Sequence, residues 1–238
     1  MRIASHAPSR SAGLRAWVVC LGCGLALFTV MGLGVNAFTV YQPYLLRVHG
    51  FTNAQGSWIT TVRSLFALLS MLTVDRLCRR LGLRNTMVLG MACFVGSYLL
   101  FGFARGFSAY CGGAVLSGLA YGYGGMIPLT LVISRWFPTG RGFALGMAAA
   151  GSGISTIFAP PLITGAIQAL GLSAAFLWEA AAGVLLTLLV LLLVRDSPDC
   201  PELQRAGDSA PGGRGEGLSR PLLGMVLLSA FLTGGPCG

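Results

Sequence analysis

Long apolar runs separated by short polar stretches dominate the chain. A helix needs about 20 residues to cross about 30 Å of hydrocarbon. On that measure the pattern predicts six membrane-spanning helices, at roughly Trp17–Val40, Ser57–Val74, Thr86–Ala104, Tyr110–Ser134, Gly142–Leu170 and Ala174–Val194. A further apolar run starts near Leu222 and reaches Gly238. Between them lies RDSPDCPELQRAGDSAPGGRGEGLSRP, rich in Gly, Pro and charge, which reads as a flexible linker between two membrane bundles. The expected organisation is a tail over residues 1–16, a six-span bundle over 17–194, a linker over 195–221 and the start of a seventh span over 222–238. Six spans, a linker and the start of another imply a two-bundle protein. The expectation is therefore a fragment or truncated product that lacks its C-terminal six-helix bundle.

Composition agrees with a core buried in lipid. Hydrophobic residues make up 55% of the chain and charged residues 10%. A water-soluble domain of this size needs more charge to cover its surface. The formal charge is +9, and with no Lys all 16 basic residues are Arg. They sit between apolar runs and form no continuous stripe, which argues against a nucleic-acid partner. Membrane topology accounts for them better. With the N-terminus inside, the inner segments hold Arg2, Arg10, Arg15, Arg76, Arg79, Arg80, Arg84, Arg135, Arg141, Arg195, Arg205, Arg214 and Arg220. The outer loops then hold only Arg47 and Arg105. The expectation is a multi-pass protein of the plasma (inner) membrane with a cytoplasmic N-terminus.

Several kinds of chemistry are disfavoured. The absence of Lys rules out a P-loop lysine and a Schiff base. The seven Cys lie mostly inside apolar runs, and Cys20 and Cys23 have CxxC spacing without a second pair or a nearby His. They read as small packing residues, not as a disulfide framework or metal site. No paired acids, His cluster or activated nucleophile marks an enzyme. No cofactor is implied.

One residue breaks the apolar pattern. Arg63 sits within SWITTVRSLFALLS, six residues or about 9 Å beyond Ser57. A guanidinium at that depth costs roughly 2.5–3.5 kcal/mol on insertion scales. It cannot shed its proton. It needs a wet cavity or an anionic partner. Its planar fork of donors matches a carboxylate in two-point contact, which makes Arg63 a candidate binding group for an organic anion. The alternative is a permanent ion pair with Glu179, the only acid within a predicted span. Glu179 is itself a candidate for proton coupling.

Small residues suggest how the helices pack. Gly118 and Gly122 have GxxxG spacing, and Gly142, Gly146 and Ala150 repeat every four residues, with Gly151 and Gly153 continuing a small surface. Pro160 and Pro161 are expected to kink or unwind the fifth span.

Two strings resemble a known family. TVDRLCRRLGLR resembles the loop signature of the major facilitator superfamily, GxxxDRxGRR, with Asp75, Arg76, Arg79 and Arg80 on the matching positions. Met71 and Cys78 replace its two glycines. WFPTGRGFALGMAAAGSG is similar to the loop and fifth helix of the carboxylate-transporting branch, which includes monocarboxylate transporters and oxalate:formate antiporters. That branch reads WFPxRRGxAxGxxxAGxGxG, and here Gly140 replaces the first Arg while Arg141 is kept. The resemblance implies an all-α membrane fold, the six-helix N-terminal bundle of such a transporter, built as 3+3 inverted repeats and truncated in the seventh helix. It implies a gating role for Asp75, Arg76, Arg79 and Arg80, through charge contacts across the helix ends. It also implies that the first and fourth helices line a central cavity, making Asn36, Tyr41, Gln42, Tyr121 and Tyr123 candidate substrate contacts beside Arg63. Tyr41 and Gln42 have the alternative of anchoring at the outer surface.

The expected function is secondary transport of a small organic anion by alternating access, with the lipid bilayer, that solute and protons as partners. The alternatives are a carrier of another solute, such as a drug or sugar, or a truncated protein that does not transport. The fifth-helix string points away from a drug exporter, because the exporter's Gly-Pro pattern is not clearly present.

Overall fold

A computed structural model describes residues 10–137 and 140–194 of the chain. The linker over 195–221 and the apolar run from Leu222 lie outside these residues, as do residues 1–9 of the tail. Six helices are long and apolar enough to cross a membrane: Arg15–His49, Asn53–Leu81, Leu83–Phe103, Phe107–Trp136, Arg141–Leu170 and Leu172–Leu193. They are called the first to sixth spans below. All six predicted spans are present; each helix starts earlier than its apolar run suggested, and the first, second and fourth also run past the expected end. The second span starts early because Thr52 and Gln55 form a capping box. The Gln55 N–H donates to Thr52 Oγ1 at 3.3 Å, and the Thr52 N–H donates to Gln55 Oε1 at 2.9 Å. It ends late because Arg79 and Arg80 suit the negative end of the helix dipole.

The spans fall into two sets of three. Their lengths run 35, 29 and 21 residues, then 30, 30 and 22. The second and third spans are joined through Gly82, at φ 86° and ψ 160°. The fifth and sixth are joined through Gly171, at φ 85° and ψ 167°. A positive φ with an extended ψ is open essentially to glycine alone, so the same backbone solution recurs at the same place in each set. The first member of each set is interrupted: the first span by a π-helix over Phe28–Asn36, the fourth by a break at Gly125. Three crossings separate the sets, so the second enters from the opposite face. This is the expected 3+3 inverted arrangement.

Close helix contacts depend on a few small residues. A Cβ on Gly118 would meet the Arg63 carbonyl oxygen, and one on Gly122 would meet the Ser70 side chain. The predicted GxxxG pair is therefore the seam between the second and fourth spans, where Ser70 Oγ also donates to the Gly118 carbonyl at 3.2 Å. The fifth span differs from expectation. Gly142, Gly146 and Gly153 have open space where a Cβ would stand, and only Gly151 meets a neighbour, at the Gly24 carbonyl. The face turned to the first span is instead Ala144, Ala148, Gly151 and Ser155. Small residues permit close approach on several faces of a helix, and their spacing does not say which one a neighbour takes. Nor is the fifth helix unwound at Pro160 and Pro161; it runs continuously from Arg141 to Leu170. The distortion lies in the first span, where a Cβ on Gly32 would collide with Ser155.

The core has two halves. One is aliphatic and sulfur-rich, around Cys20, Cys23, Met87, Met91, Leu129 and Val190. The other is aromatic, around Phe38, Tyr41, Phe94, Tyr98, Phe101 and Phe176. Tyr41 stacks on Phe176 with centroids 4.2 Å apart, and Phe101 packs on both Phe38 and Phe176. Such ring pairs are worth about 0.5–1.5 kcal/mol each beyond the area they bury. They make this wall of the bundle rigid behind the second span.

Candidate functional site

Arg63 lies ten residues into the second helix, about 15 Å along its axis. Its side chain is half-buried and faces a recess of about 390 Å3 shared with Val35, Ser64, Ala67, Met71 and Tyr121. Three spans build this recess: the first gives Val35, the second the Arg63 face, and the fourth Tyr121. Among the described residues Arg63 makes no ion pair and no hydrogen bond. Its directed contact is with Phe38, whose ring centroid lies 5.0 Å from Arg63 Cζ. A cation over an aromatic face gains about 0.5–2 kcal/mol. That offsets only part of the cost of the buried charge and leaves the donors of the guanidinium available.

Glu179 is not the counter-ion. It is 1% exposed on the sixth span, and neither carboxyl oxygen has a hydrogen-bond partner. The Tyr41 hydroxyl faces it but also closes no hydrogen bond. Tyr98 lies within electrostatic reach of both charged groups but is committed elsewhere, donating to the carbonyl of Leu33 in the π-helix at 2.8 Å. The ion-pair alternative for Arg63 is therefore not formed.

The other predicted contacts separate. Tyr121 joins Arg63 at the recess. Asn36 is nearby in sequence, one residue after Val35, but its Nδ2 donates to Thr156 Oγ1 at 2.7 Å and ties the first span to the fifth. Tyr41 is fully buried against Phe176, neither at the recess nor at the outer surface. Gln42 lies near Gly56 at the start of the second span. The Tyr123 hydroxyl lies 3.0 Å from Thr73 Oγ1, beyond the recess along the second helix. A helix turns about 100° per residue, so two residues apart Tyr121 and Tyr123 leave it about 160° from one another, which is why they part. Sequence reasoning missed Phe38, which has no signal until the first and second spans are docked. It also missed Ser64, which follows Arg63 in the chain and lines the same recess.

At the end of the second span Asp75 and Arg79 form an exposed pair, Oδ2 to Nη2 at 3.8 Å, within one helix. Arg76 and Arg80 are also exposed. Among the described residues the expected charge contact between different helices is not made in this conformation. Arg84 is instead docked, with Nη2 donating to the carbonyl of Leu191 at 2.6 Å, which ties the third span to the end of the sixth.

Six helices long and apolar enough to cross a membrane, in two sets with interrupted first members and a recess near mid-span that holds one cation, match the architecture of the N-terminal half of a membrane transporter. A family profile described as the Major Facilitator Superfamily matches residues 22–237, and the chain belongs to that superfamily. It is similar to the "MFS-type transporter pynF" of Aspergillus niger, with 26% identity over 63% of this chain and 35% of that protein. It is likewise similar to the "MFS-type transporter hasB" of Aspergillus fumigatus, with 27% identity over 83% of this chain and 44% of that protein. The "Aspyridones efflux protein apdF" of Emericella nidulans is 28% identical over 64% of this chain and 31% of that protein. The chain thus spans less than half the length of these relatives.

Proposed function

We propose that this bundle belongs to a secondary transporter of small organic anions, working by alternating access, with Arg63 as the group that holds the anionic head. The observation that carries the reading is the unpaired guanidinium at a recess whose other walls are mainly apolar. A single cation beside Val35, Ala67 and Met71 suits a monocarboxylate with an apolar body, as in monocarboxylate or oxalate/formate-type carriers. In this reading the second bundle completes the cavity, Tyr121 adds a hydroxyl to the head group, and Asn36 lies at the rim. Asp75, Arg76, Arg79 and Arg80 form the gate, engaging another helix end in the opposite conformation. Glu179 couples transport to protons. The protein resides in the plasma membrane with its N-terminus in the cytoplasm.

The test is uptake by proteoliposomes carrying the whole transporter that contains this bundle. Labelled benzoate serves as the anionic probe, and benzyl alcohol as its uncharged counterpart. Arg63→Leu abolishes benzoate uptake while leaving membrane insertion intact. Unchanged uptake in that variant removes the anion clamp.

A second reading is export of a larger organic solute. It is favoured by the likeness to a protein named for aspyridone efflux, which weighs against the reading of the fifth-span string as pointing away from an exporter. Preference for benzyl alcohol over benzoate, with export dominating in inverted vesicles, selects this alternative.

A further inference from the structure

We propose that Phe38 is a positioning residue for Arg63: its ring holds the guanidinium by one face and leaves the N–H edge open to a carboxylate entering the recess. The inference rests on Arg63 being the anion-binding group. The ring is well placed to do this. Phe38 is 3% exposed, and its centroid is 5.0 Å from Arg63 Cζ. Behind it stands Phe101 at 5.4 Å, which in turn packs on Tyr98, Tyr110 and Phe176. A ring braced in this way does not follow the guanidinium when it moves, so it fixes where the cation rests.

The chemistry of the contact matters as much as its rigidity. An aromatic face attracts a cation through the negative side of its quadrupole. Guanidinium donors point outward in the plane of the group, and carboxylates bind along that edge. A cation held by its face keeps its fork of donors free. An acidic side chain at position 38 would stabilise the charge more, but it would occupy the donors that cargo needs. The ring therefore substitutes for a counter-ion between transport events without competing for the hydrogen bonds. A long, otherwise mobile side chain is also partly ordered before the anion arrives, which lowers the entropic cost of binding.

The test replaces Phe38 with mono-, di- and trifluorinated phenylalanine. These rings are close in shape but progressively weaker in quadrupole. The whole transporter in nanodiscs carries isotope-labelled Arg, and NMR follows the Arg63 guanidinium resonances with and without benzoate. Without benzoate, the expected result is a stepwise gain in guanidinium mobility with each fluorine, Phe38→Tyr matching wild type and Phe38→Leu lying beyond the end of the series. In the whole transporter the benzoate half-saturation concentration rises in parallel, by roughly 2- to 30-fold across the series, with little change in maximal rate. Equal mobility and equal half-saturation across the fluorinated rings overturn the proposal, since a purely steric role depends on shape alone. If the fluorine series moves the resonances but benzoate does not, the anion-clamp reading fails while the aromatic seat stands.

Discussion

Gly118 lies so close to the carbonyl oxygen of Arg63 that a methyl group has no room between the two helices. The backbone that carries the cation is thus set by a glycine on the fourth span. Gly118→Ala forces the second and fourth spans apart, at a cost of about 1–3 kcal/mol, the usual range for overpacking. Gly146→Ala, where a Cβ meets nothing within 4 Å, stays within about 0.5 kcal/mol of wild type. Thermal unfolding of the two variants in the same detergent provides the comparison. Equal stability would show that the seam tolerates a methyl group.

That pair of glycines also shows what the sequence made legible. Apolar runs of sufficient length gave all six spans, because hydrocarbon thickness sets a length that few other structures need. The contact at Gly118 and Gly122 was legible because backbone approach requires small residues at a helical repeat. Gly142, Gly146 and Gly153 are small as well, yet among the described residues none stands within 4 Å of where their Cβ would be, because spacing does not name the neighbour. The depth and isolation of Arg63 could be read from its surroundings in the chain. Its seat on Phe38 could not, because that partner lies in another span and depends on the rotation of the first helix through its π segment.

Tyr98 is expected to hold that segment. Its hydroxyl donates to the Leu33 carbonyl at 2.8 Å, inside the stretch where the regular helical bonding changes. Tyr98→Phe keeps the ring and its packing but strands a carbonyl, which costs about 1–3 kcal/mol when buried. The effect should be local. Amide hydrogen exchange over residues 28–41 becomes faster in the variant, while the sixth span exchanges as in wild type. Exchange that rises equally in all spans would mean the hydroxyl supports the whole bundle rather than this segment.

Glu179 sets stability against function. Both carboxyl oxygens are buried without partners, and such groups lower stability in proportion to their lost solvation. Glu179→Leu therefore unfolds at a temperature equal to or above that of wild type. If the proposed coupling is correct, the same variant of the whole transporter loses accumulation driven by a proton gradient but keeps exchange of labelled for unlabelled benzoate. A variant that is markedly less stable places Glu179 in a structural network instead. One that still accumulates benzoate removes it from coupling.

Asp75 gives the opposite contrast. Its partner Arg79 stands one turn away on the same helix, and the two side chains are 69% and 83% exposed. A pair of this kind contributes about 0.3–0.5 kcal/mol at most, and less as salt rises. Asp75→Asn consequently leaves the unfolding temperature of the chain unchanged. In the whole transporter the proposed gate requires Asp75 to gain a second partner in the opposite conformation, where partial burial strengthens the contact. Asp75→Asn then shifts the balance between the two conformations and slows benzoate turnover, while half-saturation in the Arg63 recess changes little. Measuring both constants separates a gate from a topology signal. If Asp75→Asn transports as wild type and inserts normally, the loop acts through its Arg residues alone, and its acid has no part in switching.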